Sequence, residues 1–341
     1  MTSPNPQIKP DGAWTSGGPN SISGARKWNE QNAKAAMSGG VGTSLTKAQA
    51  ALHTTYNDRI DDHSQSIGEL KAAYNQLILQ GHAIVFTGNS TYQPPDALVS
   101  LDVILIGAGG GGSSGSMDLA IGARSGGGGG GGGELHTNVP ASLLPMANGH
   151  FLPIPITIGA PGKGGPQDRA VGTGGGDTSF GNFLTAGGGN GGSWGNPPEG
   201  WSGIGGAGMI PGGNGGRGGH VANTVMYPPT NATNSTSEYA LYGGGGGGGA
   251  GASGQGPGTS GGIGGASPGG SPANPGQPGK PPGQIVATGG GGGGGGIGGA
   301  NGGGDGAFPA GGGGGSACST GGASFGGRGG AGILYVIERF I

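Results

Sequence analysis

The sequence predicts a multi-segment fibrous protein. An N-terminal extended arm leads into a trimeric α-helical coiled coil, followed by a glycine-rich domain in which short β-strands frame a bundle of polyglycine II helices. Three observations carry this prediction. Glycine supplies 98 of 341 residues, far above the roughly 7% of an average chain. Unbroken glycine tracts, such as 126–133 and 289–296, alternate with short apolar runs. Apolar residues recur at helical spacing only between Leu45 and Leu77.

Residues 1–43 are rich in Pro, Gly, Ser and Asn and offer little to fold around. With Trp14 and Trp28 as anchors, they read as an arm that docks onto a larger assembly. Ser44 suits a helix N-cap and Gly81 a stop, which bounds a stalk over 44–80. Within it Leu45, Leu52, Tyr56, Ile60, His63, Ile67, Leu70, Tyr74 and Leu77 are spaced 7, 4, 4, 3, 4, 3, 4 and 3. From Ile60 onward this is a heptad seam, with a stutter around Tyr56. A helix of about 35 residues spans roughly 50 Å and leaves its single apolar stripe to be covered by copies of itself. Ile and Tyr at one core position, with His and Leu at the other, depart from the two-stranded pattern, so a homotrimer is expected. His63 in that seam reads as a hydrated core group that fixes register.

Beyond residue 81 the helical period gives way to β-like runs: 83–87 (AIVFT), 101–106 (LDVILI), 134–139 (ELHTNV), 151–158 (FLPIPITI), 177–186 (DTSFGNFLTA) and 333–341 (ILYVIERFI). Pro153 and Pro155 point to a sheet edge, because neither can donate to a ladder. The glycine tracts between these runs have no side chain to bury, yet each residue carries a donor and an acceptor. An extended helix of three residues per turn directs those groups outward in three directions, and without Cβ atoms such chains can pack side by side. Ordering costs about 1–2 kcal/mol per residue while a hydrogen bond returns about 0.5–1.5 kcal/mol, so the apolar strands must tip the balance.

Composition narrows the function. Charged residues make up 9% of the chain, the net charge is −2 and the pI is 6.3, so neither nucleic acid nor anionic lipid is an expected partner. A single cysteine, Cys318, excludes an internal disulfide framework. MTSPNPQIKP lacks the apolar run of a secretory signal, and no stretch reaches the ~18 apolar residues of a membrane span, so a soluble chain without membrane insertion is expected. VILIGAGGGG at 103–112 matches the dinucleotide fingerprint. It opens no helix, however, and no acidic residue ends a second strand about 20 residues on, so composition explains the match. GGRGG at 215–219 and 326–330 is too sparse in charge for an RNA-binding tract. The acidic residues and histidines form no catalytic constellation. A non-enzymatic chain with no metal and no cofactor is expected.

Segments with bulky residues interrupt the glycine, and loops on a rigid scaffold are where contacts are made. Trp194, Trp201, Tyr227, Tyr239 and Tyr242 are therefore the receptor-contact candidates, because aromatic rings give large contact area and stack on sugars. In order and spacing, LDVILIGAGGGG, ELHTNV, ITIGAPGKGG, DTSFGNFLTAGGGNGG, YGGGGGGGAG and GGRGGAGILYVIERF resemble the glycine-rich domain of phage minor tail proteins, most of all those of phages infecting mycobacteria and related actinobacteria. The resemblance covers about residues 83–341. It implies a structural virion component of a tail tip or fibre, partnered by other tail-tip or hub proteins and contributing to attachment at host envelope glycan or a surface receptor. The alternative is a non-catalytic glycine-rich wall or surface protein of an actinobacterium.

Overall fold

Period-two alternation sends successive side chains to opposite faces of a strand, and SLDVILI, ELHTNVP and ILYVIER build the central sheet on that rule. The computed structural model describes residues 83–118, 122–166, 169–193, 201–222, 225–235, 243–249, 273–282, 288–296, 302–317 and 324–340. Its strands are β1 (Ala83–Phe86), β2 (Ser90–Tyr92), β3 (Ser100–Ile106), β4 (Ser116–Asp118), β5 (Gly122–Arg124), β6 (Glu134–Pro140), β7 (Met146–Ala147), β8 (His150–Phe151), β9 (Ile154–Thr157), β10 (Thr178–Phe180), β11 (Leu184–Ala186), β12 (His220–Ala222), β13 (Val225–Tyr227) and β14 (Ile333–Arg339).

Three antiparallel sheets have four strands each, in the orders β1-β14-β3-β6, β11-β10-β9-β2 and β13-β12-β5-β4; β7 and β8 form a separate pair. In the central sheet Leu105 pairs with Leu334 and Leu135, while Ile104 pairs with Tyr335 and His136. One face carries Leu101, Val103, Leu105, Leu334 and Val336 into a core with Tyr92, Ile154, Ile156 and Phe180 of the second sheet. The opposite face packs Ile104, Ile106, Ile333 and Tyr335 with Ala310. Each such side chain contributes about 1.5–3 kcal/mol when fully buried. Burial, reinforced by a 2.8 Å hydrogen bond to the Glu338 carboxylate, pushes the Tyr92 phenol far above its usual range. Burial, then the charge of Glu134, does the same to Tyr335.

The fibrous, coiled-coil fold class is corrected. The described residues contain no α-helix, only a 3-10 turn at Ala141–Leu143, and their architecture is antiparallel sheet joined to glycine. The reason is compositional: beyond residue 82 the apolar residues come in short β-branched runs or give way to glycine, which is close to the worst helix former. The predicted seam residues Leu52, Tyr56, Ile60, His63, Ile67, Leu70, Tyr74 and Leu77, with Trp14 and Trp28, lie outside the described residues. Three strand expectations also change. The run 151–158 is divided between β8 and β9, with Leu152 and Pro153 outside both. The run 177–186 is a hairpin of β10 and β11, turned at Gly181 with φ +60°. Pro155 is not on an edge, since β9 lies between β10 and β2. It is tolerated there because β10 stops opposite Ile156 and the Pro155 carbonyl accepts from the Gly181 amide at 2.8 Å.

Where β3 ends, its chain continues as 107–115 and the pleated pairing changes to a repeat of three. Gly107, Gly110 and Ser113 donate to Gly133, Gly130 and Gly127; Ala108, Gly111 and Ser114 to Gly176, Thr173 and Ala170; Gly109 and Gly112 to Gly330 and Gly327. All of these bonds measure between 2.8 and 3.0 Å. Carbonyls of the same segment accept from Gly162 and Gly165, from Gly189 and Gly192, and from Gly313 and Ser316. The segment is thus a rod bonded on all sides, with three residues to the turn. Rod 126–133 is enclosed in the same way, donating to 310–316, 213–216 and 187–190 and accepting from 107–113, 203–206 and 244–247. A Cβ on Gly129 would fall on the Gly110 carbonyl, and one on Gly109 on the Gly311 carbonyl, well inside 3.0 Å. Only glycine fits. The rods that continue β14, β3 and β6 keep the neighbour order of the sheet, so sheet and lattice form one continuous body.

Candidate functional site

A rod with three residues per turn on the perimeter of the lattice turns one residue in three outward. In PGGNGGRGGH the glycines Gly213, Gly215, Gly216, Gly218 and Gly219 are buried while Pro211, Asn214 and Arg217 are exposed. The adjacent rod exposes Trp201, Ile204 and Ala207 around the buried Gly203 and Gly206. The Gly215 amide donates to the Gly203 carbonyl and Gly212 to Gly206, so the rods run antiparallel. Trp201 therefore stands level with Arg217, Ile204 with Asn214 and Ala207 with Pro211.

Flanking segments extend these rows. On one side Ser193, Asn190 and Gly187 donate to the carbonyls of Trp201, Ile204 and Ala207 at 2.9, 2.8 and 2.7 Å. On the other, Thr230 and Thr233 donate through their amides to the carbonyls of Arg217 and Asn214 at 3.0 and 2.9 Å. Their hydroxyls accept the Arg217 and Asn214 amides in return, at 2.8 and 2.7 Å. The Gly205 amide donates to Asn214 Oδ1 at 2.8 Å. Rows follow one another about every 9 Å along a rod, and hydrogen-bonded chains lie about 5 Å apart. The surface is thus a fixed grid of a Trp, an Ile, an Arg, two Asn and two Thr.

The sequence-predicted contact residues meet this grid in part. Trp201 is 63% exposed and lies in it. Tyr227, 44% exposed, ends β13 three residues before Thr230, and its ring stacks on His220 at 4.3 Å and 4°. Trp194, Tyr239 and Tyr242 lie outside the described residues. Ile204, Asn190, Asn214, Arg217, Thr230 and Thr233 were not singled out by sequence reasoning. The signal was the x-G-G repeat itself, which marks the outward residue.

Buried polar groups elsewhere are arranged as anchors. Arg339 Nε donates to Asp102 Oδ2 at 2.6 Å, and Asn138 Nδ2 to Asp102 Oδ1 at 2.8 Å. Glu134, fully buried, sits against His136 Nε2. Among the described residues no group of three or more His, Cys, Asp or Glu is placed to hold a metal ion. No helix among them is long and apolar enough to cross a membrane. In GAGGGG the amides of Gly107, Gly109, Gly110, Gly111 and Gly112 all donate to carbonyls of neighbouring rods, which leaves that motif no donor for a phosphate.

No curated protein matches the chain. The family model described as "Glycine-rich domain" matches residues 84–338, from the second residue of β1 to the penultimate residue of β14. The sheet that those two strands share closes the lattice, and the match takes in the whole of it: the chain belongs to this glycine-rich domain family.

Proposed function

We propose that the chain is a non-catalytic structural component of a phage tail tip or fibre that contributes to attachment at the host cell surface. The observation that supports this reading is the grid around Trp201. An exposed indole, with Ile204 beside it and the amides and hydroxyls of Asn190, Asn214, Thr230 and Thr233 at fixed intervals, suits an extended neutral glycan. Aromatic faces stack on the apolar side of a sugar ring, and fixed polar groups meet its hydroxyls. A rigid lattice adds little ordering cost on binding, which favours attachment by such a surface. In this reading the chain resides in the virion as a homotrimer, its partners are other tail-tip or hub proteins, and its target is envelope glycan.

Competition for adsorption tests it. The recombinant chain should block adsorption of virions to host cells, and Trp201→Ala, at an outward position, should lose that block while melting like the parent. Unchanged competition by the variant, or absence of the chain from purified virions by mass spectrometry, overturns the reading.

A further inference from the structure

A second surface lies on other perimeter rods. Beyond residue 80 the chain has seven cations (Arg124, Lys163, Arg169, Arg217, Lys280, Arg328 and Arg339) against ten carboxylates. Such a sparse set would be expected to scatter. Instead, two of the seven, Lys163 and Arg328, fall on one row, and a third, Lys280, lies close to it. The Gly329 amide donates to Gly162 and Gly326 to Gly165, which brings Arg328 level with Lys163 on the adjacent rod. On the other side of Arg328, the Gly306 amide donates to the Arg328 carbonyl and Gly279 to the Asp305 carbonyl, which places Lys280 one rod further along. Lys163, Arg328 and Lys280 are all exposed. Among the described residues no carboxylate oxygen lies within 4.0 Å of these three cations. Asp305 stands in the same row, with its Oδ1 held by the Arg328 amide at 2.7 Å. Phe325 and Phe308, 50% and 41% exposed, border the row three residues from Arg328 and Asp305 on their own rods.

We infer that this row is a binding surface for a linear phosphate-bearing polyol polymer. Lys163 and Arg328 stand about 5 Å apart, and Lys280 lies about three rod spacings from Lys163, beyond the rod of Asp305. This is a flat line of charges that suits an extended chain better than a compact anion. The guanidinium fork and the ammonium groups recognise phosphate oxygens. Phe325 and Phe308 offer apolar faces to the carbon atoms of the polyol. With only three cations in a region of net negative charge, the surface suits a sparsely charged polymer better than a nucleic acid, whose binding is dominated by many phosphate contacts. This inference does not depend on the grid around Trp201.

The probe is poly(glycerol phosphate) of defined length, titrated against the full chain by fluorescence anisotropy at low salt. Binding should weaken with salt on a log–log slope of roughly −2, as expected for about three phosphate contacts. The triple variant Lys163→Gln, Lys280→Gln, Arg328→Gln should bind at least about tenfold more weakly, whereas Arg217→Gln and Trp201→Ala should bind like the parent. Should the triple variant not melt like the parent, Lys163→Glu alone must give the loss. No binding by the parent, a flat salt dependence, an equal loss in Arg217→Gln, or tighter binding of single-stranded RNA of equal charge would each overturn the inference.

Discussion

His136 Nε2 lies against Glu134 Oε1, a carboxylate withdrawn from solvent at the point where rod 126–133 becomes β6. This close pair marks the seam between glycine lattice and pleated sheet. Removing the group that rests against a buried carboxylate costs about 3 kcal/mol. His136→Ala should lower the thermal midpoint by roughly 10 °C. Thr137→Ala, one residue along on the other face of β6, should change it far less. Differential scanning calorimetry of the two variants checks this.

At Gly129 the lattice admits no Cβ. Gly129→Ala drives a methyl group onto the Gly110 backbone, where no flexible side chain can yield. We expect a loss of at least about 3 kcal/mol, at or beyond the upper end for overpacking, or failure to fold. Gly88→Ala meets nothing within 4 Å and should stay within roughly 0.5 kcal/mol of the parent. Urea unfolding of both variants decides whether the clash is real.

Alkaline pH should loosen the protein through Tyr92 and Tyr335. Both phenols are held above their usual range in the fold, so folding favours their neutral forms. Their contribution is complete below the unfolded tyrosine value of about 10 and declines as pH rises past it. A stability–pH profile should be level with respect to these groups up to about pH 10 and fall above it. Tyr92→Phe, which cannot ionise, should make that fall shallower, and an identical profile would count against the assignment.

Side-chain bonds tie the grid together. Thr230→Val and Thr233→Val each remove an acceptor for a backbone amide of the neighbouring rod, so each should cost about 1 kcal/mol. Because the partner amides lie outside any strand, the loss should show as faster hydrogen exchange at Arg217 and Asn214 respectively, with exchange at Gly110 unchanged.

Exchange in the parent protein offers a broader check. The amides from Gly107 to Ser114 all donate to other rods and should be protected together, with free energies near that of global unfolding. Gly149, in open space with φ +81°, should exchange rapidly. Uniformly rapid exchange over 107–114 would contradict the lattice.

How much of this was legible beforehand depends on which period a segment obeys. β3, β6 and β14 were readable within a residue or two, because LDVILI and ILYVIERFI are short apolar runs rich in β-branched residues and ELHTNV alternates in twos. The hairpin in DTSFGNFLTA was hidden, since one glycine in the left-handed region turned what read as a single run. The perimeter rows were missed for a different reason. GGRGG was weighed as a fragment of an RNA-binding tract, whereas its arginine is the outward residue of an x-G-G repeat. The partners of a rod lie as far apart in sequence as Gly109 and Gly330, and no local pattern reveals them. The aromatic reading singled out Trp201 but not Ile204 or Arg217, which only the alignment of neighbouring rods brings beside it.

One feature of rod 126–133 constrains how such a chain can change length. Apart from Gly127, whose amide donates to the Ser113 hydroxyl, its amides address three neighbours in rotation. Inserting one glycine would turn every later amide by a third of a revolution toward the wrong chain. Growth or shrinkage of the rods must therefore come in whole turns, three residues at a time and in every adjoining rod together, whereas the outward residues can be exchanged one by one.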